Sequence, residues 1–65
     1  MADITDVEML ADAERESRLA AAGYLTMATQ VRDPAVKDMF LEFSRHSITL
    51  NAKFAELINQ LGGRP

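Results

Sequence analysis

Glu42 and His46 stand four residues apart in a stretch that reads as helix, so a carboxylate and an imidazole leave one side of it a turn apart. Such a pair can hold a divalent metal when other carboxylates converge on it, and Glu14 and Glu16 are the earlier candidates. Glu42 and His46 flank the apolar seam of their helix rather than lie on it. The simpler expectation is a solvated Glu42 and a boundary His46, loosely paired along the helix. Glu14 and Arg18 are also four apart, in the order that favours an ion pair worth ~0.3–0.5 kcal/mol when exposed. The sequence has no glycine-rich phosphate loop and no nucleophile with a base beside it. It leans away from enzymatic function.

Two amphipathic helices must position these groups. From Val36 to Leu61 the large apolar residues Val36, Phe40, Phe43, Leu50, Phe54, Leu57 and Leu61 recur in steps of three and four, interrupted by Ser47. They predict a helix over about 34–61. The earlier segment, about 5–30, carries Leu10, Ala13, Ser17, Ala20, Tyr24, Met27 and Val31 at the same spacing. Its smaller side chains, Ala20 to Gly23 among them, suit a partner rich in phenylalanine. Thr5-Asp6-Val7-Glu8 has the form of a capping box, with Asp3 as a competing cap. Residues 31–33 are the break: Asp33 is a good N-cap and Pro34 a good first helical residue. Gly62-Gly63, with Pro65 beyond, ends the second helix.

A connection this short makes the helices antiparallel neighbours, so residues 1–65 read as one all-α domain, a helical hairpin. Each helix also carries a second, weaker apolar line. It comprises Ile4, Val7, Ala11, Ala21, Leu25 and Ala28 in the first, and Leu41, Ile48, Ala55 and Ile58 in the second. A lone hairpin leaves such lines wet, and two hairpins docked as a four-helix bundle cover them. The expected partner is the chain itself, as a homodimer or larger oligomer, with an unidentified protein partner behind it.

Composition narrows the classes. With 65 residues the core is thin, and chains of this size usually need a staple or a second copy. There is no cysteine, which removes disulfides and thiolate metal sites. A net charge of −3 with scattered basic residues argues against nucleic acid. No apolar run reaches membrane-span length, and Met1 to Asp6 lacks the basic and apolar regions of a signal peptide. A cytoplasmic protein is expected.

The run Tyr24-Leu25-Thr26-Met27-Ala28 followed by Asp33-Pro34-Ala35-Val36-Lys37-Asp38-Met39-Phe40 resembles the helical hairpin of rubrerythrin-like and encapsulated-ferritin-like members of the ferritin-like superfamily. The resemblance runs from about Leu10 to Leu61. It implies a di-iron centre built from a glutamate of the first helix and a Glu-x-x-His of the second. Registered on Tyr24 and Asp33-Pro34, those ligand positions fall at Ser17, Ser47 and Leu50, none of which holds iron well. The resemblance therefore implies a hairpin that has lost its ligands and kept its packing. Two functions follow as expectations. One is a non-enzymatic structural or interaction module with no cofactor. The alternative is an iron-handling or oxidoreductase protein using Glu14, Glu16, Glu42 and His46 in an off-pattern site. An RNA-binding hairpin is a third, opposed by the acidic charge.

Overall fold

Aspartate before proline decides where the chain turns. In the computed structural model, which describes residues 4–62, helix α1 spans Ile4–Gln30 and helix α2 spans Pro34–Gln60. Asp33 is extended (φ −71°, ψ 124°), and its Oδ1 accepts hydrogen bonds from the amides of Ala35 at 2.9 Å and Val36 at 3.0 Å. Two of the amides that begin α2 are thereby satisfied, and Pro34 at the first position has none to satisfy. At the far end Leu61 caps α2 and Gly62 turns left-handed (φ 85°), where a β-carbon would be strained. Gly63 and Pro65, and the alternative cap Asp3, lie outside the described residues. α1 starts at Ile4, so Thr5 sits inside its first turn and is not the N-cap that the capping box implied.

The two helices pack antiparallel into a rod of 47 × 15 × 13 Å. With two helices among the described residues, each has a single neighbour. Among the described residues, those that are buried are all small: Ser17, Ala21 and Ala28 of α1, and Ser44 and Ser47 of α2. Around them Leu10, Ala13, Ala20, Tyr24 and Val31 of α1 are half-buried, as the α1 spacing led one to expect. Met27 departs from that line, being 45% exposed, and the adjacent Ala28 takes the seam at 2%.

α2 departs further. Its seam against α1 runs through Phe40, Ser44, Ser47, Asn51, Phe54 and Ile58. Val36, Phe43, Leu50, Leu57 and Leu61, expected in the seam, lie to one side and remain between 37% and 42% exposed. Leu41, Ala55 and Ile58, assigned to the weaker line, are half-buried. The most apolar line of α2 thus does not face α1. The physical reason is close approach: serine and alanine let the backbones come together, and the large side chains are displaced to the flank.

Replacing Asp33 with alanine removes both capping bonds and should cost about 1 kcal/mol. For a chain of this size the thermal midpoint should fall by ~4–8 °C, whereas Asp33→Ser, which can still cap, should stay near wild type. Circular dichroism melts at matched protein concentration check this.

Candidate functional site

The polar residues that matter are inside the hairpin. Asn51 projects from α2 into the seam at the level of Glu14. Its Nδ2 donates to the Glu14 carbonyl at 2.8 Å, to Glu14 Oε2 at 2.8 Å and to Ser17 Oγ at 3.2 Å. An amide nitrogen has two hydrogens, so one is shared between acceptors. Ser17 in turn donates to the Glu14 carbonyl at 2.9 Å. Two turns nearer the hairpin's bend, Ser44 Oγ donates across the seam to the carbonyl of Ala21 at 2.9 Å. Every side-chain nitrogen or oxygen that is wholly shut off from solvent among the described residues has a partner. The cluster is satisfied, which is the condition for a polar group in a seam to stabilise it.

This arrangement re-assigns the candidate metal ligands. Glu14 is part-buried, and its carboxylate is engaged by Asn51 and by Arg18, whose Nε lies 3.4 Å away. The Glu14–Arg18 pair expected along the helix is therefore present, with Asn51 added to it from across the hairpin. Glu16, Glu42 and His46 are exposed. Among the described residues no three histidine, aspartate or glutamate side chains are grouped so as to hold a metal ion. Of the three positions that the resemblance assigns to iron ligands, Ser17 and Ser47 are buried in the seam and Leu50 is 37% exposed beside it.

Asn51 and Ser44 were not singled out from the sequence. The available signal was their spacing: Ser44, Ser47, Asn51, Phe54 and Ile58 keep the same three-and-four rhythm as the apolar line beside them. Choosing the most apolar of two adjacent lines as the seam hid it.

The other feature is apolar. Tyr24 packs against Phe40 (ring centroids 6.3 Å apart) and Phe43 (5.6 Å), next to the bend. At the opposite end Met9, Leu10 and Ala13 of α1 share an open groove of about 450 Å³ with Phe54 and Leu61 of α2, with Asp6 at its edge. The exposed stripe of α2 therefore lies on the same face of the rod as Met9, Ala13 and Tyr24. That face runs its whole length.

Known proteins add nothing to this geometry: no family model matches the chain, and no curated protein or solved structure proves similar to it. No helix among the described residues is long and apolar enough to cross a membrane.

Asn51→Ala should leave the helices formed but cost about 1–3 kcal/mol, because Glu14 loses its cross-helix donor within a part-buried seam. Ser47→Ala removes a hydroxyl that makes no hydrogen bond among the described residues and improves helix propensity. It should be neutral or stabilising by up to about 1 kcal/mol. Parallel melts of the two variants test the assignment, and equal losses would contradict it.

Proposed function

We propose that this hairpin is a non-enzymatic interaction module, half of a four-helix bundle completed by a second copy of itself. The observation that carries the reading is the stripe of Val36, Met39, Phe43, Leu50, Leu57 and Leu61, which the hairpin leaves between 37% and 42% exposed. Full burial of one such side chain is worth ~1.5–3 kcal/mol, so the stripe offers more than the ~3–5 kcal/mol that a core this small can supply. A helix face of this kind is useful when another helix covers it.

A ferritin-like hairpin that has lost its di-iron ligands fits the same reading. Ser17 and Ser47 point into the seam, and Leu50 lies on the face that a bundle would close. Structural, cargo or adaptor roles use such a module without chemistry of its own. The alternative, an iron-handling protein, requires Glu14 to leave Asn51 and Arg18 and to converge with Glu16, Glu42 and His46.

Light scattering of metal-stripped protein, with and without added Fe(II) or Mn(II), separates the two. The module reading expects a mass that is a multiple of 7.2 kDa without metal and unchanged by it. A helical monomer that stays monomeric, or one that assembles only on stoichiometric metal, would overturn it.

A further inference from the structure

Resting on the reading that the bare face is an assembly surface, we propose how the second copy sits. α1 of each hairpin lies on α2 of the other, with both bends at the same end of the bundle. Area points to a second copy as the occupant, and shape and charge point to this arrangement of it.

The chain exposes 5027 Å². A compact monomer of its 7.2 kDa mass exposes only ~4,100 Å² by the usual scaling. The excess, about 900 Å², matches the ~800 Å² that each partner contributes to a stable protein interface. A second hairpin, as long and as flat, is an occupant of that size.

The face is uneven in cross-section. Its α2 side is large, with Phe43, Leu50 and Leu57, and its α1 side is small over much of its length, with Ala13 and Ala20. At Gly23 an added β-carbon would meet nothing within 4 Å, so the hairpin itself leaves that space open. Laying α1 on the other copy's α2 puts large side chains against small ones along both contacts. Laying α1 on α1 crowds the two α2 helices together and leaves a gap between the alanines.

Charge at the border distinguishes the same two arrangements. Met9, Glu16 and Gly23 recur every seven residues along the α1 border of the face, and Met39, His46 and Lys53 do so along α2. Glu14 meets Asn51 and Ala21 meets Ser44, a register that brings Asp12 level with Lys53, and Glu16 between Lys53 and His46. With α1 on α2, the acidic border of one copy meets Lys53 and His46 of the second copy. With α1 on α1 the two copies run in opposite directions, Met9 level with Met27, so Asp12 and Glu16 come beside the other copy's Tyr24 and Ala20 and neither meets Lys53 or His46. Asp12 also pairs with Arg15 along its own helix at 3.0 Å, so Glu16 is the freer carboxylate of the border.

The chain has no cysteine, so engineered pairs report without background. Met27→Cys and Met39→Cys, mixed as two separately tagged proteins and mildly oxidised, should form a mixed disulfide, because those positions are level across the proposed contact. Met27→Cys mixed with Met9→Cys should not. In solution Lys53→Glu should weaken association by up to about fivefold, and adding Glu16→Lys should restore it. A Met9–Met27 disulfide instead would assign the α1-on-α1 bundle and overturn the proposal. So would neither disulfide forming in protein that light scattering shows to be associated, which leaves the module reading standing. A monomer by light scattering would remove both.

Discussion

Asn51 holds α2 to α1, and most of the hairpin's shape follows from what that bond requires. A short amide side chain reaches a carbonyl on the neighbouring helix at 2.8 Å only if the two backbones are close. Close backbones demand small residues nearby, and Ser17, Ala21, Ala28, Ser44 and Ser47 supply them. The second crossing bond, from Ser44 to the Ala21 carbonyl, demands the same approach a few turns away. Directional bonds at two heights also set the register. Sliding one helix by a residue would leave Asn51 and Ser44 without their acceptors, a penalty that an alanine seam alone does not impose.

Using the seam this way has a thermodynamic consequence. Alanine and serine bury little apolar area, so the contact inside the hairpin is specific but weak in hydrophobic terms. The area that would stabilise a core, from Phe43, Leu50 and Leu57, is held on the flank. Specificity and driving force are thus on different faces. In the proposed bundle the polar seam decides how each hairpin folds on itself, and the apolar face decides what it joins.

Much of this was legible in the sequence because it depends on local chemistry. Asp33-Pro34 announced the bend, and the helix spacing announced the two rods within a residue of their ends. Ser17 and Ser47 were recognised as polar residues facing inward, and both are buried. The orientation of α2 was not legible. Periodicity shows that a helix has an apolar side without showing which neighbour covers it. With two adjacent lines in α2, the one rich in phenylalanine and leucine was the natural choice of seam. Nothing local marks Asn51 as a residue whose partner lies 37 positions earlier. The candidate ligands were visible only as residue types, and Glu14 acquires its role from the helix opposite.

Thermal unfolding followed over a hundredfold range of protein concentration tests the central claim most directly, since a fold completed by association gains stability by mass action. The account predicts a midpoint that climbs steadily with concentration, together with a single loss of helix. A midpoint that stays constant across that range would mean that the hairpin is stable with its apolar face bare, and would contradict it.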